Sequence, residues 1–206
     1  MRLKVCGMRD SHNIRQLLAL KPDYMGFIFY EKSPRNVGEL LDAELLQSFP
    51  ASTQKVGVFV NSSIEYVKEQ VRKYGLDMVQ LHGDESVDYV AELYAIGIRV
   101  MKVFSVGDSF DFSVLGKYNP FVEFFLFDTK GKERGGTGKT FDWDLLKGYN
   151  LEVPFFLSGG LDLENINELD QLEGLPVHAL DVNSRFELEP ALKDIGMIRE
   201  LRDQIN

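Results

Sequence analysis

Residues Phe124–Trp143 read FFLFDTKGKERGGTGKTFDW, and the rest of the chain repeats the pattern this stretch sets. Four bulky apolar residues, Phe124–Phe127, run straight into Asp128-Thr129-Lys130. A glycine-dense segment follows, with Gly131, Gly135, Gly136 and Gly138, and a new apolar segment opens near Asp142-Trp143. A short unbroken apolar run between turn signals suits a strand buried on both faces. An acid just past its end sits where strand gives way to loop. In parallel α/β folds that edge is where ligands bind. An isolated Asp in this place reads as a turn former or helix cap. The rest of the chain changes that reading for Asp128.

Outward from this segment, strand-like runs alternate with helical patterns. The strands are read at Leu3–Cys6, Met25–Tyr30, Lys55–Val60, Met78–Leu81, Val100–Phe104, Phe124–Phe127, Val153–Leu157 and Ala179–Val182. Helical faces fall between them: Ile14, Leu17 and Leu18; Leu41, Leu45 and Leu46; Ile64, Val67 and Val71; then Val87–Ile96. A weak helix is read near Val114-Leu115, another from Trp143, and another over Asn165–Leu172. Ser62 and Glu65 form a capping box for the third helix, which Gly75 closes, and Gly97 closes the fourth. Pro190 suits the first turn of a last helix whose apolar face holds Leu192, Ile195, Ile198 and Leu201. Such alternation implies a parallel sheet, and eight pairs favour a closed (β/α)₈ barrel over an open sheet. The 206 residues allow roughly 26 per unit, compact for a fold that usually takes about 250. No linker or composition break divides them, so residues 1–206 read as a single barrel domain.

Apolar residues at 44% and charged residues at 27% fit an ordinary globular domain. The net charge of −9 argues against nucleic acid or an anionic membrane surface as partner. The lone cysteine, Cys6, cannot form an internal disulfide, which suits a reducing compartment. The N-terminus has no signal-peptide core, and no run approaches the length of a membrane span. The expectation is a cytoplasmic enzyme or binding protein.

In a barrel, the residues just past each strand gather at one mouth. These are Cys6-Gly7-Met8-Arg9, Ser33-Pro34-Arg35, His82-Gly83-Asp84, Asp128, Ser158-Gly159-Gly160 and Asn183-Ser184-Arg185. A Gly-Gly pair is often only a tight turn. After the seventh strand, beside Asn183-Ser184 on the eighth, Ser158–Gly160 reads as a phosphate site made of backbone N–H groups. Cys6 reads either as a small buried hydrophobe or as a base, with Gly7 leaving space beside the thiol and Arg35, Arg9 or Lys4 favouring the thiolate. Asp128 is its partner, a general acid whose carboxyl would be desolvated by Phe125 and Phe127. Such a pair suits an isomerisation in which one proton leaves carbon and another arrives on oxygen. Arg35 reads equally as a solvated charge or as a guanidinium that grips a carboxylate from a stiff loop. His82 reads as structural, His12 lies in a helix, and His178 sits at the far end of the barrel. Metal-ligand spacing, P-loop and Rossmann fingerprint are all missing. Gly131–Gly138 reads as a loop closing over the mouth.

These fragments resemble the phosphoribosylanthranilate isomerase family. The resemblance runs in order along nearly the whole chain: Lys4-Val5-Cys6-Gly7-Met8; Gly26-Phe27 with Ser33-Pro34-Arg35; Val56–Asn61; Val79-Gln80-Leu81-His82-Gly83; Phe127-Asp128 with Gly135–Gly138 and Phe141–Trp143; Leu157–Leu161; and Asp181-Val182-Asn183-Ser184. It implies an Amadori rearrangement without cofactor. Asp128 would protonate the ribose ring oxygen and Cys6 would remove the C2 proton. Arg35 would bind the anthranilate carboxylate, Ser158, Gly159, Gly160, Asn183 and Ser184 would hold the phosphate, and Asp181 would join the substrate-binding set. The partner is then a phosphosugar–anthranilate, and the chain a monomer or homodimer. Two residues depart from the family pattern: Arg185, where a small residue is common, and Arg9. Two other readings remain open here: the related aminoaldose isomerase of histidine biosynthesis, which usually pairs two aspartates, and a phosphosugar-binding barrel without catalysis.

Overall fold

The structure is a computed structural model that describes residues 1–107, 110–129 and 143–205. The expected closing loop, Gly131–Gly138, lies outside the described residues. Eight parallel strands close in sequence order into a barrel. They are β1 (Arg2–Val5), β2 (Tyr24–Ile28), β3 (Gln54–Phe59), β4 (Met78–Leu81), β5 (Val100–Val106), β6 (Phe124–Thr129), β7 (Phe155–Ser158) and β8 (Val177–Val182). β8 pairs with β1 in register Arg2↔Ala179 to Val5↔Val182, which shuts the cylinder. A two-stranded hairpin, β9 (Glu187–Glu189) and β10 (Leu192–Lys193), follows.

Side-chain alternation along the strands builds two cores. Tyr24, Val56, Met78, Met101, Phe124, Leu126 and Phe156 fill the barrel interior. Leu3, Val5, Phe27, Phe125, Phe127, Phe155 and Leu157 belong to a second, larger core that includes the helices. The N-terminal end of the cylinder is stoppered by aromatic rings. His178 lies 4.3 Å from Phe124, centroid to centroid, and its Nε2 is 2.8 Å from the Tyr24 hydroxyl. His178 is thus inside β8 and at the far end from the mouth.

The α-helices are α1 (Ser11–Leu18), α2 (Ala43–Gln47), α3 (Ile64–Tyr74), α4 (Val87–Ala95) and α5 (Ile195–Ile205). After β5, β6 and β7, where helices are expected, the chain forms 3₁₀ turns at Phe112–Lys117, Trp143–Gly148 and Ile166–Leu172. These segments are six, six and seven residues long, short connectors in place of full-length helices. Large rings cover the strands there: Phe127 lies 6.0 Å from Phe112, 5.3 Å from Tyr149 and 4.9 Å from Phe155. This is how a barrel of 206 residues closes.

Local details differ from the expectation at three ends. Ser63, not Ser62, caps α3: its Oγ accepts from Tyr66 N at 3.3 Å, while the Ser62 carbonyl accepts from Tyr89. β7 starts at Phe155 because Pro154 has no N–H to give the ladder. Pro190 turns the β9–β10 hairpin, and Leu192 lies in β10. α5 starts only after Asp194, whose Oδ1 accepts from Gly196 N and Met197 N at 2.9 and 3.1 Å. Among the described residues no helix is long and apolar enough to cross a membrane.

Candidate active site

The C-terminal mouth of the barrel holds a cavity of about 200 Å³. Cys6, Asp128, Ser158, Gly159, Gly160, Asp181, Asn183 and Ser184 all line it. Parallel strands make this unavoidable once the parity of each strand is set. Phe124 and Leu126 point into the barrel, so Asp128 does too. Phe125 and Phe127 point the other way, into the outer core. They therefore do not flank Asp128 at the mouth, and its side chain is 32% exposed.

Cys6 follows β1 and extends its ladder, donating its N–H to Val182 O at 2.9 Å. The thiol is buried. Its neighbour across the ladder is Gly26: a Cβ there would come within 2.7 Å of Sγ. Gly26, on β2, is thus the glycine that makes room for the thiol. Gly7, with φ +78°, instead makes room for Arg35 and Asn183, each with an atom 2.8 Å from where its Cβ would be.

Beneath the cavity floor, Lys4 is fully buried and its Nζ donates to Asp181 Oδ1 at 2.8 Å. Burial opposes the charge on Lys4, but Asp181 and Cys6 outweigh it, and its pKa lies above the ordinary lysine value. Burial pushes the Asp181 carboxyl up, against the pull of Lys4. Burial also pushes the Cys6 thiol up; Lys4 draws it down, Asp181 adds to the rise, and Lys193 draws it down. The expectation that nearby cations favour the thiolate is therefore outweighed by desolvation. The cations that act on it include Lys4 and Lys193, whereas Arg9 donates to the Asn36 carbonyl at 3.1 Å.

Arg35 stands beside the cavity and is not part of its lining. The Ser33-Pro34-Arg35 turn is closed by Arg35 N donating to Ser33 Oγ at 3.1 Å. The guanidinium is gripped by Glu187, with Nε to Oε1 at 2.9 Å and Nη2 to Oε2 at 2.6 Å. Gly159 and Gly160 adopt φ of +88° and +69°, as a tight rim of exposed backbone requires. The Gly160 carbonyl accepts from Asn165 Nδ2 at 2.8 Å, which braces that rim. Arg185 is exposed and is among the residues that line the cavity.

Two polar residues outside the expected site, His82 and Gln80, also line the cavity. His82, read as structural, lies at the cavity with Nε2 3.7 Å from Asp128 Oδ2. Gln80, two residues back on the same inward face, is buried, and its Oε1 has no partner among the described residues. Strand parity from Val79-Gln80-Leu81-His82 was the available signal. The loop carrying His82 is held by Glu85, which accepts from Asn61 N at 2.9 Å and from Gly83 N at 3.0 Å. Lys102 pairs with Glu85 at 3.1 Å and donates to the Gly83 carbonyl at 2.8 Å.

Fold and cavity together define a class: a (β/α)₈-barrel enzyme whose chemistry is placed at the C-terminal mouth. The model of the N-(5′-phosphoribosyl)anthranilate (PRA) isomerase family matches residues 3–204. An N-(5′-phosphoribosyl)anthranilate isomerase of Parabacteroides distasonis is 42% identical over 206 residues, covering 100% of this chain and 93% of the relative. A crystal structure of phosphoribosyl anthranilate isomerase in complex with reduced 1-(o-carboxyphenylamino)-1-deoxyribulose 5-phosphate superposes with a TM-score of 0.82 at 28% identity, covering 98% and 97% of the two chains. A monomeric form of the dimeric enzyme from Thermotoga maritima superposes with a TM-score of 0.76 at 28% identity, covering 97% and 95%. The chain belongs to the PRA isomerase family.

Proposed function

We propose that this chain is the isomerase of tryptophan biosynthesis that converts N-(5′-phosphoribosyl)anthranilate into 1-(o-carboxyphenylamino)-1-deoxyribulose 5-phosphate. The observation that carries the reading is that, in a chain matched over residues 3–204, the Cys6 thiol and the Asp128 carboxyl line the same cavity. The reaction is an intramolecular aldose–ketose exchange. Protons move and no electrons leave the substrate, so residues of the chain suffice without a cofactor.

Asp128 acts as general acid. It gives a proton to the ribose ring oxygen as the C1–O bond breaks, leaving an iminium at C1. Cys6, as thiolate, takes the C2 proton, and the electron pair neutralises the iminium to an enolamine. The enolamine then takes a proton at C1 as its C2 hydroxyl gives one up, which leaves the ketone: two protons arrive, at the ring oxygen and C1, and two depart, from C2 and its hydroxyl. Arg35 binds the anthranilate carboxylate. The backbone of Ser158, Gly159 and Gly160, together with Asn183 and Ser184, holds the phosphate, and Arg185 adds a cation beside them. Asp181 faces the sugar from the floor and is tied down by Lys4. All these residues come from one chain, so residues 1–206 act as one catalytic unit, as monomer or within a homodimer. A base that must stay a thiol suits the reducing cytoplasm.

The test is a coupled assay. Anthranilate and phosphoribosyl pyrophosphate are fed to the preceding transferase, and loss of substrate fluorescence is followed after this chain is added. Rapid loss is expected. Binding of the phosphate ester without turnover would reduce the chain to a binding barrel. Turnover only of the aminoaldose from histidine biosynthesis would move it to that reaction.

A further inference from the structure

The hairpin that follows β8 places a charged group where none of the proposed catalytic steps requires one. Glu187 opens β9, and its side chain is 4% exposed. Its carboxylate accepts from Arg35 Nε at 2.9 and 3.0 Å and from Arg35 Nη2 at 2.6 Å. It also accepts from Lys193 Nζ, and from Ala191 N at 3.3 Å. Lys193 is itself fixed. Its backbone exchanges hydrogen bonds with Asn13 of α1 at 2.8 and 3.0 Å, and its Nζ donates to Asn183 Oδ1 at 2.6 Å.

A planar guanidinium has five N–H donors in a rigid fork. Glu187 takes one edge of that fork, Nε with Nη2. Among the described residues Nη1 has no hydrogen-bond partner. Two cations around one carboxylate leave a net positive charge, so the cluster keeps its attraction for an anion. The Arg35 stem is at the same time packed over Gly7, where no Cβ intervenes. A side chain held at one edge and along its stem presents its remaining edge in one direction only.

We propose that Glu187 is a positioning residue for substrate binding: it fixes the plane of Arg35 so that the Nη1 side meets the substrate carboxylate. This rests on the assignment of Arg35 to that carboxylate. The gain is pre-organisation. A guanidinium that need not be ordered on binding loses less freedom when the ligand arrives.

A double-mutant cycle over Arg35→Ala and Glu187→Gln separates the two assignments. Gln keeps an oxygen for Lys193 but cannot pair with Arg35 as a carboxylate does. The probes are the reduced product analogue and its anilino counterpart lacking the carboxylate. Glu187→Gln is expected to weaken the first by about tenfold or more and the second by less than about threefold. In the Arg35→Ala background it should add less than about twofold. Equal weakening of both probes, or additive losses, would overturn the positioning role and leave Glu187 as scaffold. If Arg35→Ala itself spares the preference for the carboxylate, the Arg35 assignment fails, and this proposal with it. If Arg35→Ala removes the preference and Glu187→Gln does not, only the proposal fails. Glu187→Asp, which retains the charge at shorter reach, is the second variant should Gln fold poorly; it should fall between wild type and Gln.

Discussion

Gly26→Ala adds one methyl group and tests the geometry around the thiol. Gly26 is not in the left-handed region, so its backbone accepts an L residue. The difficulty is space alone: the new Cβ would lie 2.7 Å from Cys6 Sγ, 3.1 Å from its Cα and 3.2 Å from its Cβ. Comfortable contacts begin near about 3.5 Å, so the sulfur must retreat by about 0.8 Å or the strands must part. The thiol can rotate, but Cα cannot, so both adjustments are forced in part. Overpacking of this kind costs about 1–3 kcal/mol. At about 2–4 °C per kcal/mol for a chain of this size, Tm should drop by about 2–12 °C. Displacing a proton acceptor by nearly an ångström should cost about 100-fold in kcat. KM should stay within about threefold, because the anion contacts are elsewhere. The assay is fluorescence-monitored turnover beside a thermal melt. Gly116→Ala is the control: nothing lies within 4 Å of its Cβ position, and both readouts should stay at wild type. A Gly26→Ala enzyme with lowered Tm and unchanged kcat would refute the argument that the thiol's position governs the reaction.

Further outcomes follow from charge. Because burial pushes the Cys6 thiol above its ordinary 9.0, alkylation of this single cysteine by iodoacetamide should be slow at pH 7 and still accelerating past pH ~9. A plateau below pH ~8 would contradict the dominance of desolvation. Arg185→Gly should raise KM by about three- to tenfold and flatten its salt dependence, with kcat within about twofold. An unchanged KM would place Arg185 outside phosphate binding. At the barrel's other end, burial and Arg2 push His178 down to about 4 from its ordinary 6.5. The unfolded chain therefore takes up this proton first as pH falls, and stability is lost between pH 6.5 and about 4, with no further loss below. The size is on the order of 1–2 kcal/mol after allowance for its partial exposure. Urea midpoints of wild type minus His178→Gln across that range should show the slope, and a flat difference would contradict it.

Much of this architecture could be read from residue order. Unbroken apolar runs such as Met78–Leu81 and Phe124–Phe127 mark strands because both faces of a parallel sheet are buried. Once eight such strands run one way, Cys6, Asp128, Ser158–Gly160, Asp181, Asn183 and Ser184 must share an opening, and they do. What escaped depends on contacts between distant segments. Gly7 looked like the residue beside the thiol, yet Gly26 on the neighbouring strand is, and only the β1–β2 register reveals that. Arg35 could be read as grip or surface charge; its pairing with Glu187 requires a hairpin that folds back from residues 187–193. The 3₁₀ turns after β5 to β7 keep a helical pattern of apolar residues, so sequence spacing does not separate them from short α-helices. Adjacency in sequence suggests that Phe125 and Phe127 sit beside Asp128, whereas alternation along β6 sends them to the opposite face.

Cys6 and Asp128 are proposed to serve one bound sugar as base and acid. Single-turnover conversion of N-(5′-phosphoribosyl)anthranilate by Cys6→Ala and by Asp128→Asn, each with its affinity for the reduced product analogue measured alongside, tests these roles directly. Each variant should bind the analogue within about tenfold of wild type yet convert substrate slower by about 1,000-fold or more. Near-wild-type conversion by either folded variant would contradict them.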